Sequence, residues 1–197
     1  MRLLYSTKFN RELAYIFPGE YHISREHIIN TLLGSCVAVV LFCEKEKLGG
    51  MNHFMLPSIT DPLSAVKKGD NAGRYGLYAM ELLINGLIKE GIKREALKAK
   101  VFGGGRVLEG VGSDKNHIGG KNVDFVLNYL KTEKIPVVSK DVGGRGGRKV
   151  FFFPWNGKVL VGNIASSAAE VINEERKYLD FIKKEEQARK VILFDED

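Results

Sequence analysis

The 197-residue chain has two cysteines, Cys36 and Cys43, and no C-x-x-C or H-E-x-x-H spacing to go with them; its four histidines, at 22, 27, 53 and 117, are scattered. No zinc site is expected from that pattern. Two such thiols fit a reducing compartment, where each is either buried filler or a working nucleophile. No apolar segment approaches the length needed to cross a bilayer, and the opening M-R-L-L-Y-S-T-K-F-N lacks a signal-peptide core. The expectation is a cytoplasmic protein without membrane insertion. Neither G-x-G-x-x-G nor G-x-x-x-x-G-K-[ST] fits onto Gly103 to Gly110 or onto Gly143 to Lys149. Both glycine runs therefore read as close-packed turns, not phosphate cradles, and no cofactor is implied.

What is present is an ordinary globular composition, 44% hydrophobic and 27% charged, with 22 glycines that point to many tight turns. The formal net charge is +6, yet Lys and Arg are spread along the chain. The densest cluster, Arg145 to Lys149, is glycine-rich without interleaved aromatics. That distribution speaks for a solvated surface, or an acidic protein partner, over a nucleic-acid footprint.

The length suits one domain with an appendage, and the composition places the boundary near residue 163. Residues 1–163 alternate short apolar runs with glycine-rich turns. Residues 164–197 carry a capping box at Ser167 to Glu170 and a charged run with Val171, Ile172, Leu179 and Ile182 as a narrow apolar stripe. That tail is expected to form a surface helix, followed by an apolar Val191 to Phe194. Within the first part, an apolar strand is expected from about His27 into the L-G-S-C turn. A loop follows over Ser58 to Gly73, a helix over Tyr75 to Glu90 ending at Gly91, and a strand over Ala99 to Phe102. A second helix falls within Asn116 to Lys134, and a strand over Ile135 to Ser139. Strands at Lys149 to Phe153 and Lys158 to Val161 should form a hairpin around Asn156-Gly157, and Pro154 suggests that the first of them ends early or lies at a sheet edge.

The chemistry concentrates in Thr31 to Pro57. Cys36 to Phe42 is apolar throughout and reads as a strand buried on both faces; Glu44 to Lys47 interrupts with four charges; Leu48 to Leu56 is apolar again apart from Asn52 and His53. A hairpin turning at the charged tetrad, with an even-length loop, opposes Cys43 to Leu48 and Ala38 to His53. Cys36 and His53 then share a face as diagonal neighbours, while Cys43 faces away. A cysteine becomes a nucleophile near neutral pH when a base stands beside it, so Cys36 and His53 are the candidate pair. A third group usually holds the imidazole in its productive tautomer; Thr31 and Asn30 are the candidates.

L-G-S-C-V-A-V-V, G-G-M-N-H-F-M-L-P, Y-G-x-Y-A-M-E-L-L-I-N at 75–85, K-V-F-G-G-G at 100–105, I-P-V-V at 135–138 and D-V-G-G-x-x-G-R-K-V at 141–150 together resemble the chemoreceptor glutamine deamidase family, CheD, in order over roughly residues 20–163. The resemblance implies a cofactor-free hydrolase of chemotaxis that converts receptor glutamines to glutamates, with Cys36 and His53 as the family's cysteine and histidine. The family also places a threonine six residues ahead of the cysteine; in this chain that position is Asn30, and Thr31 stands five before Cys36. The implied fold is α+β, a layered sandwich with a β core flanked by helices, similar to cytotoxic necrotising factor-type deamidases. The implied partners are methyl-accepting chemotaxis receptors as substrates and the phosphatase CheC, and some members also hydrolyse receptor methyl esters. A non-catalytic adaptor of CheC is the alternative.

Overall fold

In the computed structural model, residues 1–56, 71–106 and 118–164 are described, with the side chains of 71–75 excepted, together with the single positions 173, 177 and 180. The described residues form ten strands and two long helices. In order these are β1 (Arg2–Ser6), β2 (Arg11–Tyr15), β3 (Tyr21–Ser24), β4 (Ile28–Leu33), β5 (Val37–Cys43), β6 (Leu48–Phe54), α1 (Asn71–Lys89), β7 (Lys98–Gly103), α2 (Ile118–Thr132), β8 (Val137–Val142), β9 (Gly147–Phe153) and β10 (Lys158–Ile164). They assemble two five-stranded sheets, β1-β2-β4-β9-β10 and β3-β6-β5-β7-β8.

The three layers follow from the period-2 alternation of the central strands. On β5, Val37, Val39 and Leu41 pack with Leu83, Leu87 and Val126 of the helices, while Ala38, Val40 and Phe42 pack with Ile29, Val150 and Phe152 of the other sheet. The second sheet is thus covered by helices on one face and by the first sheet on the other. A strand buried on both sides has to be apolar at every position, which is why Cys36 to Phe42 carries no polar side chain. This is the α+β layered sandwich that the family resemblance implies.

The β5–β6 hairpin has the expected register: Ala38 faces His53 and Cys43 faces Leu48 across a four-residue loop. Lys47 closes that loop at φ 48. Both helices end as Schellman turns. Ile92 N–H donates to Leu87 O at 3.2 Å and Ile135 N–H to Leu130 O at 2.9 Å, with Gly91 in one case and Lys134 in the other supplying the left-handed residue.

Three features differ from the sequence expectation. Strands β1 to β3 occupy a stretch with no clear apolar alternation, because β1 lies at a sheet edge where exposed and apolar residues mix. The first helix begins at Asn71, ahead of Gly73 and of the expected start at Tyr75. Strand β8 begins two residues later than expected and runs to Val142. The loop over Ser58 to Gly73 lies, up to residue 70, outside the described residues. So does the C-terminal segment, apart from Asn173, Lys177 and Asp180, which are helical and exposed. No helix among the described residues is long and apolar enough to cross a membrane.

Candidate active site

The chain changes layers at Gly34-Ser35-Cys36. Strand β4 belongs to the first sheet and β5 to the second, so the three residues between them carry the backbone across the interlayer space. Cys36 is thereby placed at the head of β5 with its side chain in the cluster shared with Ala38, Met51 and Met55. His53, opposite Ala38 and between Met51 and Met55 in the alternation of β6, faces the same space. Cys43 lies in the cluster beneath the helices. The expected same-face relation of Cys36 and His53, and the opposite orientation of Cys43, both hold.

Thr31 reaches the same space from the first sheet. Its Oγ1 lies 2.8 Å from His53 Nδ1 and donates to the Ile16 carbonyl at 2.7 Å. A hydroxyl has one proton, so with that proton on Ile16 the imidazole Nδ1–H must be the donor to Thr31. Nε2 is left as the unprotonated nitrogen, and it has no hydrogen-bond partner although it is buried. Between the two candidates for the third group, Thr31 makes this contact. Asn30, one residue earlier in β4, points to the other face of the sheet, where its Oδ1 is buried without a hydrogen-bond partner.

Burial sets the charge state. Cys36 and Thr31 have no exposed surface and His53 only 1%. Desolvation lowers the His53 pKa to about 3, opposed by the Ile16 carbonyl. The imidazole is therefore neutral at physiological pH in this covered state, with Nε2 able to accept a proton.

The turn that carries Cys36 is held at three consecutive carbonyls. Gly105 N–H donates to Gly34 O and Gly104 N–H to Cys36 O, both at 2.7 Å, and Asn122 Nδ2 donates to Ser35 O at 2.8 Å. The glycines are required by proximity: a Cβ on Gly103, whose φ is 104°, would stand 2.2 Å from the Cys36 carbonyl oxygen. The Gly103 to Gly105 run is thus the close-packed turn expected for it. Arg148, opposite Leu33 across the β4–β9 ladder, donates to Asp141 Oδ1 at 3.0 Å and to Gly143 O at 2.7 Å. It fastens the second glycine run beside the first. Sequence reasoning missed Asn122 and Arg148; the available signal for Asn122 was a carboxamide on the apolar side of a helix.

No three His, Cys, Asp or Glu side chains gather as a metal would need among the described residues. The arrangement instead supplies a thiol, a neutral imidazole of fixed tautomer, and a rigid turn of backbone amides. Those are the parts of acyl transfer.

Comparison with known proteins agrees in kind. A family model described as CheD chemotactic sensory transduction matches residues 55–163. The chain is 51% identical over 158 residues to "Probable chemoreceptor glutamine deamidase CheD 1" of Dechloromonas aromatica, covering 80% of this chain and 76% of that protein. It is 45% identical over 194 residues to the protein of the same name from Shewanella oneidensis, covering 98% and 92%. With "Probable chemoreceptor glutamine deamidase CheD" of Janthinobacterium sp. the identity is 42% over 196 residues, covering 96% and 93%.

Proposed function

Because this chain belongs to the CheD family, we propose that it deamidates glutamine side chains of chemotaxis receptors, with Cys36 as nucleophile, His53 as general base and acid, and Thr31 as the residue that orients the imidazole. The observation that supports the reading is the Thr31–His53 contact at 2.8 Å, which leaves Nε2 as the unprotonated nitrogen of an imidazole on the sheet face that Cys36 shares.

The steps balance without any other reagent. Nε2 takes the thiol proton as sulfur attacks the glutamine carbonyl carbon, forming a C–S bond and an oxyanion that backbone N–H groups of the Gly34 to Cys36 turn would hold. The imidazolium returns its proton to the departing nitrogen, the C–N bond breaks, and ammonia leaves a thioester. Water, deprotonated by the same Nε2, attacks the thioester, and the C–S bond breaks to give glutamate and the free thiol. A receptor glutamate methyl ester would form the same thioester with methanol as leaving group, so methylesterase activity falls within the reading. The acting unit is residues 1–163, with 164–197 as an extension.

Cys36 and His53 are covered, so a receptor glutamine reaches them only when what covers them moves aside. That same covering favours the second reading, a protein that binds the phosphatase CheC and whose sealed thiol is incidental. One experiment separates them. The protein is incubated with a cytoplasmic receptor fragment, peptides are read by mass spectrometry for glutamine-to-glutamate conversion, and CheC binding is measured on the same preparation. Conversion lost in Cys36→Ala with CheC binding retained supports the enzyme. Binding without any conversion by the unaltered protein supports the adaptor.

A further inference from the structure

One fully buried polar side chain beside the pair has no part in the steps above. Asn122, in the second turn of α2, has no exposed surface and makes two hydrogen bonds, both to backbone. Its Oδ1 accepts from Leu56 N–H at 2.9 Å, and its Nδ2 donates to Ser35 O at 2.8 Å. Ser35 immediately precedes the thiol residue, and Leu56 follows the imidazole residue by three positions.

The β5–β6 ladder shows what this bridge replaces. Val37 faces Phe54, so continuing the antiparallel register puts Cys36 opposite Met55 and Ser35 opposite Leu56. His53 directs both backbone groups to its other neighbour, donating to Glu20 O at 2.9 Å and accepting from Gly19 N–H at 2.7 Å. Ala38–His53 is therefore a non-hydrogen-bonded pair of this ladder, Val37–Phe54 a hydrogen-bonded one, and Ser35–Leu56 the next position of that kind. A regular ladder would close there with Leu56 N–H donating directly to Ser35 O. The Asn122 carboxamide stands in that place, accepting from the one and donating to the other as an inserted peptide group would. Close approach of helix and turn makes this reach available. A Cβ on Gly119 would stand 2.5 Å from the Gly104 carbonyl oxygen, so α2 lies directly against the glycine turn.

We propose that Asn122 is a positioning residue for the deamidation. Its carboxamide wedges the two strands apart at the Cys36–Met55 step and fixes the plane of the Ser35–Cys36 peptide. The peptide is planar and trans, so a carbonyl aimed at Asn122 aims the Cys36 N–H the opposite way. The wedge sets the separation of the strand ends that carry thiol and imidazole. The assignment rests on the Cys36–His53 reading.

The test measures kcat and KM for deamidation of a receptor fragment by the unaltered chain, Cys36→Ala, Asn122→Ala and Asn122→Asp, with folding followed by circular dichroism. Asn122→Ala should lower kcat by about 10- to 100-fold with KM little changed, as expected for misplaced reacting groups. In Asn122→Asp a protonated carboxyl can accept from Leu56 and donate to Ser35, whereas the carboxylate cannot donate. Its activity should therefore fall as pH rises through that carboxyl's titration, a limb absent from the unaltered chain. If Asn122→Ala does not fold, the Asp variant decides. Folded variants with unaltered kcat and no added limb overturn the assignment and leave the deamidase reading intact. No conversion by the unaltered chain, or conversion retained in Cys36→Ala, removes the deamidase reading and the assignment with it.

Discussion

Thr31→Val is the sharpest perturbation of the candidate site, because valine keeps the shape of threonine and removes only the hydroxyl. The Thr31 hydroxyl is engaged by the Ile16 carbonyl and by His53 Nδ1, so the effect of removing it is expected to pass through His53. Two hydrogen bonds are lost, to Ile16 O at 2.7 Å and from His53 Nδ1 at 2.8 Å. The Ile16 carbonyl also acts on the imidazole, so the two stranded groups are partial substitutes for each other. The stability loss should therefore be that of about one unsatisfied buried group, about 1–3 kcal/mol, and not of two. On the proposed reading the ring loses the contact that fixes its tautomer and orientation, and kcat should fall about 100-fold with KM nearly unchanged. Thr31→Ser is the control: it keeps the hydroxyl, removes a buried methyl at a cost of about 1 kcal/mol, and should keep most of the turnover. Receptor-fragment deamidation followed by mass spectrometry gives the rates, and urea unfolding followed by Trp155 fluorescence gives the stabilities. A folded Thr31→Val with unaltered kcat, or Thr31→Ser as impaired as Thr31→Val, would refute the orienting role.

The buried imidazole also predicts an acid-labile fold. With His53 at about 3 when folded and near 6.5 when unfolded, the unfolded chain binds a proton between those values that the folded chain does not. Stability present above the unfolded value is lost as pH falls through this window, by about 2 kcal/mol between roughly pH 7 and pH 5. His22, lowered by burial first and by His27, contributes in the same direction, so the His53 share is the part of the urea-midpoint shift that disappears in His53→Gln. Cys43→Ala should keep deamidation, since Cys43 sits beneath the helices, and its loss of activity would undo the assignment of faces. Gly103→Ala should cost about 2 kcal/mol or more, because φ 104° and a 2.2 Å approach to Cys36 O act together. Gly91→Ala, at φ 91° with nothing within 4 Å, should cost only about 1 kcal/mol, and equal urea midpoints for the two would contradict the close-approach account.

The hairpin and its register were legible because the charges of Glu44 to Lys47 can only be a solvent-facing turn, and a period of 2 then fixes every later pairing. The choice between Asn30 and Thr31 was not. It depends on which face of β4 meets the second sheet, and Ile29 and Leu33, which flank Thr31 on that inner face, are no more apolar than Ile28 and Leu32 on the other. The role of Asn122 was not legible for a different reason. Its partners are backbone groups 66 and 87 residues away, and its place on the apolar side of the helix marks it as buried without saying what it bonds to. Residues that bond to backbone across the fold answer to the chain's path, which sequence patterns describe only strand by strand.

The layer crossing at Gly34 to Cys36 joins the site's geometry to its chemistry. Placing Thr31 on one sheet and His53 on the other makes their contact a bond between layers, so it forms only when the sandwich closes. Closure removes water, and removal of water is what lowers the His53 pKa to about 3. On the proposed Cys36–His53 reading, a neutral imidazole offers the thiol no counter-ion, and the base takes its proton as attack begins. Any opening that admits a glutamine also readmits solvent to the ring, which raises its affinity for the thiol proton. If Cys36 is the nucleophile, as proposed, engagement of the receptor and its activation coincide, and the rate of Cys36 alkylation by a small reagent such as iodoacetamide should rise when receptor fragment is added below saturation. A rate indifferent to the receptor fragment would separate the two events and remove the coupling.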